Sequence, residues 1–275
     1  MSYYYLISGL PDLKFNEGNR KLDFNEIFDT IQRNLDTEDE LLSRYLFYPN
    51  DNTNLLDAIF QKHKEISIYP FKEPTFCDKE TISNFSRNKG FLPEYMGDFL
   101  SRWEEHFPSL LMWEIEEKLL EAFYAKIETL DNGFLKDYFL FERSLKKVMA
   151  VFNKSYFGEE MLDLPADHQS LAHQVGKGKT PSASLVNSYP YVEKLNELFP
   201  RQQVEVIEQI MDQIRWDYLS NVPGHFEREV VLAYCLKLFL VKKWTERDAV
   251  SDNQHFIELI QKIKSDVSTL NTQAV

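Results

Sequence analysis

Apolar residues recur three and four positions apart from Asp23 almost to the end of the chain, a rhythm that an α-helix turns into one buried face. Phe24, Ile27, Phe28, Ile31 and Leu35 form the first such stripe, with Asp23 placed to cap it. Thr37 and Glu40 have the spacing of a capping box and open a second helix through Leu41, Leu42, Tyr45 and Leu46, which Pro49 is expected to stop. A third helix is expected from about Asp51, with Leu55, Leu56, Ile59 and Phe60 on one face. Phe99, Trp103 and Phe107 lie four apart in a helix beginning at Pro93. The longest stretches run over 110–130 and, past a break at Gly133, over 134–157, with Gly158 as C-cap. The rhythm resumes near Tyr191 and covers 201–219, 224–245 and 252–269. Sheets need glycine at many tight turns, and only nine glycines occur in 275 residues, about half the usual ~7%. The expectation is an all-α chain of about ten helices.

Three stretches depart from this pattern. Tyr3-Tyr4-Tyr5-Leu6-Ile7, cut short by Gly9, Pro11 and Asp12, reads as a short strand or an extended arm. Residues 66–77, with Pro70 and Pro74, read as a loop. Residues 159–188, with Pro165, Gly176, Gly178 and Pro181, read as a linker or mobile loop.

Charge and cysteine usage narrow the function classes. A net charge of −13, with no basic run longer than two residues, disfavours nucleic acid and anionic headgroups and favours basic or neutral protein surfaces. Aromatic residues make up 14% of the chain and suit helix contacts and protein interfaces. Cys77 and Cys235 are too few for a disulfide framework and read as structural thiols in a reducing compartment. The opening lacks a basic segment before an apolar run, so secretion is not expected. The most hydrophobic window, 230–241, is interrupted by Lys237 and falls short of the ~20 residues of a membrane span. A cytoplasmic chain without direct membrane insertion is expected.

None of the chemical motifs that the sequence suggests is complete. Gly176-Lys177-Gly178-Lys179-Thr180 resembles the end of a phosphate-binding loop, but His173 stands where the first glycine belongs and Pro181 follows at once. It reads as a basic loop. The run Asp36-Thr37-Glu38-Asp39-Glu40 invites comparison with magnesium-dependent helical enzymes acting on diphosphates. Their second motif would fall at Asn50, Asp51 and Asn54, where Ala58 replaces the last carboxylate. An acidic first turn favoured by the helix dipole explains the run better. The histidines at 63, 106, 168, 173, 225 and 255 show no i, i+4 pairing, so no metal site is expected. Glu114, Glu116, Glu117 and Glu121 read as a solvated helix face. No catalytic, cofactor-binding or metal-ligating residue is identified, and the chain reads as a non-enzyme with no cofactor.

A repeat is visible at long range. Leu42-Ser43-Arg44-Tyr45-Leu46-Phe47-Tyr48 aligns without a gap on Leu135-Lys136-Asp137-Tyr138-Phe139-Leu140-Phe141. Ten residues past each Tyr, Leu55-Leu56 matches Val148-Met149, and Ile59 then matches Phe152. Val231, Tyr234, Leu236 and Trp244 form a fainter third copy, the tyrosines being spaced 93 and 96 residues apart. Chance alignment of amphipathic helices and a threefold structural repeat both accommodate this pattern. Tyr45, Tyr138 and Tyr234 read as packing residues.

The opening Tyr3-Tyr4-Tyr5-Leu6-Ile7-Ser8-Gly9-Leu10-Pro11-Asp12-Leu13 resembles the start of an uncharacterised bacterial family that occurs with V-type ATPase subunits. Arg44-Tyr45-Leu46 leading to Asp51-Asn52-Thr53-Asn54-Leu55 resembles a pattern of the C subunit of the V/A-type ATPase, called d in eukaryotes. Residues 134–158 and 226–248 resemble its later units more loosely, with Ser144 opposite Asp51 and Lys147 opposite Asn54. The resemblance implies one C-subunit-like domain over 1–275, built as three similar helical units (about 1–90, 91–188 and 189–275) in a pseudo-threefold funnel. It also implies a non-catalytic central-stalk adaptor coupling the shaft to the membrane rotor ring, cytoplasmic and peripheral to the inner membrane through partner subunits. A helical scaffold or regulator of another complex is the alternative, with the diphosphate enzyme a distant third.

Overall fold

The computed structural model describes residues 2–15, 21–157, 175, 180–198 and 204–247, and it is all-helical, with no strand among the described residues. The chain divides into two compact units: Asp36–Ile214, and Met1–Leu35 together with Arg215–Val275.

In the unit formed by both ends of the chain, the first helix is α1 (Tyr4–Gly9). Here the sequence reading of a strand or arm gives way to a helical turn. Burial is not what drives it, since no residue of α1 is buried and Tyr5 is 90% exposed. Tertiary anchors hold the segment instead. The Tyr3 N–H donates to the Phe226 carbonyl at 2.6 Å, the Tyr4 and Phe226 rings lie 4.7 Å apart, and the Tyr234 hydroxyl donates to the Pro11 carbonyl at 2.8 Å. Helix α2 (Phe24–Asn34) starts at Asp23, whose carboxylate accepts from the N–H groups of Asn25 and Glu26, as its position foretold. The apolar window forms a helix over residues 228–247, α12, burying Val231, Leu232, Cys235 and Leu238. Lys237, the charge that interrupts that window, lies 4.9 Å from the centre of the Trp216 ring.

The unit Asp36–Ile214 opens with α3 (Thr37–Ser43), a 3₁₀ turn at Arg44–Leu46, and α4 (Tyr48–Lys64). Two local expectations shift. Asp36, one residue earlier than Thr37, caps α3 by accepting from the Asp39 N–H at 2.9 Å. Pro49 does not end a helix but sits in the first turn of α4, where the N–H it lacks would have no intrahelical partner anyway. Helix α4 ends at Glu65, held left-handed at φ 57°, and the Ile66 N–H closes back on the Phe60 carbonyl.

Beyond a short α5 (Lys79–Ser83), α6 (Glu94–Trp103) is succeeded by a 3₁₀ turn and then α7 (Met112–Glu128). The break expected at Gly133 separates α7 from α8 (Gly133–Phe157), which begins at that residue and is capped by Asn132 accepting from the Leu135 N–H at 2.9 Å. Two cores result. In one, Phe60, Phe85, Met96, Phe99, Leu100 and Phe107 are each 3% exposed or less, with the Phe99 and Phe107 rings 5.5 Å apart. Leu145, Val148 and Phe152 of α8 pack with Val192, Leu195 and Met211 from α10 (Tyr191–Leu198) and α11 (Val204–Ser220).

Residues 183–188, expected to be loop, form the short helix α9 (Ala183–Ser188). Ser182 caps it by accepting from the Leu185 N–H, and Leu185 is buried in the second core. The remainder of the expected linker, 159–174 and 176–179, lies outside the described residues, as do the Gly158 cap and the expected helix over 252–269. The opening of the repeat does not keep its secondary structure from copy to copy. Residues 42–48 cross from α3 through the 3₁₀ turn into α4, whereas 135–141 lie inside the continuous helix α8.

Candidate functional site

Helix α4 carries a polar stripe among its apolar residues, and that stripe is buried. Asp51, Asn52, Asn54 and Asp57 are between 0% and 7% exposed, beside Leu55, Ile59 and Phe60 at 0–1%. Buried polar groups need partners: Asn52 Oδ1 accepts from the Tyr95 hydroxyl at 2.8 Å, and the partners of Asp51, Asn54 and Asp57 include the backbone of residues 66–77, which these three hold like a clasp. Asp57 Oδ1 accepts from the N–H groups of Ile68 (2.7 Å) and Tyr69 (2.9 Å), while its other oxygen takes the Ser67 hydroxyl (3.1 Å) and Gln61 Nε2 (2.6 Å). One turn back, the Asn54 amide pairs with both backbone groups of Lys72, at 2.8 and 2.9 Å. Another turn back, Asn50 Nδ2 donates to the Pro74 carbonyl, and Asp51 accepts from the N–H groups of Phe76 (3.2 Å) and Cys77 (3.3 Å). The helical repeat thus sets polar groups three and four apart against a loop running beside the helix.

The two carboxylates of the clasp sit in opposite electrostatic situations. For Asp51, burial dominates and lifts the carboxyl from 3.8 to about 7, against the opposing pull of the Cys77 and Phe76 N–H groups. For Asp57, burial pulls the same way, but the Tyr69 and Ile68 N–H groups, with Ser67 and Gln61, outweigh it and hold the carboxyl below its ordinary value. The deeper burial of Asp51, with two long bonds against the four partners of Asp57, accounts for the contrast. Around Asp51, the Cys77 thiol is pushed up to about 12 by burial, and the Tyr48 and Tyr95 hydroxyls are raised as well.

The other candidates fall into structural roles. Of the acidic run, Asp36 caps α3, Asp39 is 1% exposed, and Glu40 pairs with Arg44 at 2.8 Å. The expected second motif, Asn50, Asp51 and Asn54, braces the loop. Among the described residues, no group of three or more His, Cys, Asp or Glu is arranged to hold a metal ion. His63 lies between the Phe85 and Phe107 rings, and burial depresses its pKa. His106 sits beside Trp103 and His225 is exposed. His168, His173, His255 and the stretch 176–179 lie outside the described residues. Glu114 accepts from the Leu111 N–H at the start of α7, and Glu117 and Glu121 are exposed. Glu104 is drawn into an ion cluster with Lys89 (2.7 Å), Lys62 and Ser86; despite burial pushing it up, these donors bring its carboxyl down to about 2. Both cysteines are buried and free.

The residues that carry the C-subunit resemblance are split by the same logic. Tyr45 stacks 4.9 Å from Tyr48, Tyr138 is 6% exposed, and Tyr234 binds Pro11. Opposite Asp51 in the aligned copy, Ser144 bonds back to its own helix at the Leu140 carbonyl, so that copy of the acidic-Asn pattern does not brace a loop.

A groove of about 570 Å³ runs along α6 and α7. Glu94 pairs with Lys126 at one end (2.7 Å), and Lys118 lies 4.2 Å from the Trp103 ring centre at the other, so the two helices run antiparallel. Ala122 and Ala125 keep the α7 wall low. Trp103 is half-buried and meets a second cation, Arg102, at 5.4 Å. Periodicity places Phe99 and Trp103 on one stripe, but the cations come from two helices and their meeting is not visible in either helix alone.

No curated protein and no solved structure matches the chain. One family model does match, over residues 1–267, which is nearly the whole length, and the chain therefore belongs to the family described as "Protein of unknown function (DUF2764)".

Proposed function

We propose that this chain is a non-catalytic central-stalk adaptor of a bacterial V/A-type ATPase, coupling the rotary shaft to the membrane rotor ring. The observation that carries the reading is the fate of the α4 polar stripe: Asp51, Asn54 and Asp57 are consumed in bracing a loop. Those side chains stiffen the fold where an enzyme of the diphosphate class would hold a metal. Stiffness and surface are what a torque coupler requires. The all-helical build and the resemblance of the opening Tyr3–Leu13 segment support the same reading. Among the described residues no helix is long and apolar enough to cross a membrane, consistent with attachment through partner subunits. The test is isolation of the native complex through a tag on this chain in its own host. Stoichiometric V-type stalk and ring subunits are the expected outcome; their absence would defeat the proposal.

A further inference from the structure

The loop over residues 66–77 is fastened to α4 unevenly. Asp57 and Asn54 hold its first part at Ile68, Tyr69 and Lys72 through bonds of 2.7 to 2.9 Å. Just past its end, Asp78 is fixed by capping α5, where its carboxylate accepts from the Thr81 N–H at 2.6 Å. Residues 73–77, between these anchors, are tied down more lightly. Asn50 donates to the Pro74 carbonyl, the Phe76 and Cys77 N–H groups reach Asp51 at 3.2 and 3.3 Å, and the partly exposed Phe76 ring rests on Tyr48 and Arg44. Asp51 itself is poorly provided for. It is fully buried, no cation pairs with it among the described residues, and the buried Asn52 amide nitrogen makes no hydrogen bond. The titratable groups about it are Tyr48 on its own helix, Cys77 on the loop and Tyr95 on α6, all kept neutral by burial. Of the nearby charges, Arg44 covers the Phe76 ring and acts on Tyr48, and Asp78 is turned to the start of α5.

We propose that residues 73–77 are a pH-gated flap: ionisation of Asp51 peels the Phe76 and Cys77 amides off α4 and uncovers the Cys77 thiol, while Lys72 and Asp78 stay anchored. A neutral carboxyl tolerates a dry site, but a carboxylate needs more than two long donors, and water reaches it once the flap lifts. With the flap down, burial holds the carboxyl at about 7; with the flap lifted, the hydrated group returns towards 3.8. Between those values the closed form keeps a proton that the open form has released. Opening is therefore held down below about pH 4, rises about tenfold per pH unit through the window, and is level above about 7. Asp57 does not share this behaviour, because its donors hold its carboxyl below the ordinary value and keep it ionised throughout the window. The Cys77 thiol, pushed up to about 12 while buried, returns to the ~8.5 of a free cysteine when uncovered. The device is thus a thiol shielded in acid and reachable at neutral pH, and it does not depend on the adaptor reading.

The experiment follows amide hydrogen exchange of the full-length protein at residues 68, 69, 76 and 77 from about pH 5 to about pH 8, each rate divided by that of an unstructured peptide, with Asp51→Asn alongside. Labelling of Cys77 by a pyridyl disulfide, mapped on peptides that separate it from Cys235, gives a second readout. The expected result is protection at 76 and 77 that falls about tenfold per pH unit up to about 7 and then levels, with constant protection at 68 and 69. Cys77 labelling, corrected for the thiolate fraction, rises in step, and Asp51→Asn removes both pH dependences. Protection at 76 and 77 that stays level or rises with pH in the wild type overturns the flap, because two donors then suffice for the carboxylate. A parallel fall at 68 and 69 overturns it as well, since the whole loop then opens together. A pH dependence that survives in folded Asp51→Asn assigns the gate to another group and equally defeats the proposal. The wild-type profile decides the matter where the variant does not fold.

Discussion

Replacing Asp51 with asparagine isolates one buried carboxyl and gives its pH signature a definite sign. Asp51 is 0% exposed, and its carboxyl is lifted from 3.8 to about 7, chiefly by burial. Between those two values the native protein keeps a proton that the unfolded chain has released. Native stability from this group is therefore greatest below about pH 4, falls as pH rises towards 7, and is level above. A pKa that differs by one between the native and unfolded chains corresponds to about 1.4 kcal/mol, so the fall is about 4 kcal/mol. The amide that replaces the carboxyl is neutral throughout, and any fixed cost of placing it there is the same at every pH. The difference in unfolding free energy between wild type and Asp51→Asn should thus drop by about 4 kcal/mol from pH ~4 to ~8. Neighbouring groups do not blur this window, because Tyr48, Tyr95 and Cys77 are all raised above their ordinary values, and His63 titrates alike in both proteins. Urea denaturation at several pH values, read as the difference between the two profiles, measures the effect. Parallel profiles, within about 1 kcal/mol, would refute the reasoning. They would mean that the Phe76 and Cys77 N–H groups offset burial completely.

Two further substitutions probe the same clasp and its hinge. Asp57→Ala leaves the Ile68 and Tyr69 N–H groups without their acceptor and should cost about 2–4 kcal/mol, with faster hydrogen exchange at those two amides. Because the Asp57 carboxyl lies below its ordinary value, its contribution is present above pH ~4 and is lost as pH falls through the native value, opposite in sign to Asp51. Unchanged exchange at residues 68 and 69 would count against the clasp. Glu65→Gly relieves a side chain held at φ 57°, and after the entropic cost of glycine it should stabilise the protein by about 0.5–1 kcal/mol in urea denaturation. A loss of stability there would show that Glu65 makes a contribution beyond its backbone shape.

Helix content was legible from spacing because the period of 3.6 is imposed by the backbone on any amphipathic helix, wherever it later packs. The stripe Phe24 to Leu35, the apolar faces of α4 and α6, and the buried window now in α12 all follow from it. Caps at Asp23 and Asp36 were legible for the same local reason, the latter to within one residue. The loop at 66–77 was legible as a loop, yet its fastening was not. Asn50, Asp51 and Asn54 stood out only as an incomplete metal motif and Asp57 did not stand out at all, because nothing local distinguishes a solvated carboxylate from one bonded to a backbone 11 to 26 residues away. The only signal was their interleaving with Leu55, Ile59 and Phe60, which burial of the whole helix explains.

What the chain's order of residues determined alone was therefore helix type and the placement of most helices. Tertiary structure decided the rest: that Tyr4–Gly9 is helical, that the α4 acids brace a loop, that Asp51 and Asp57 titrate in opposite directions, and that Arg102 and Lys118 meet on Trp103. The physical reason is range. Hydrogen bonds within one helix are set by neighbours four residues away, whereas desolvation and cross-helix charge depend on which distant segments close over a side chain.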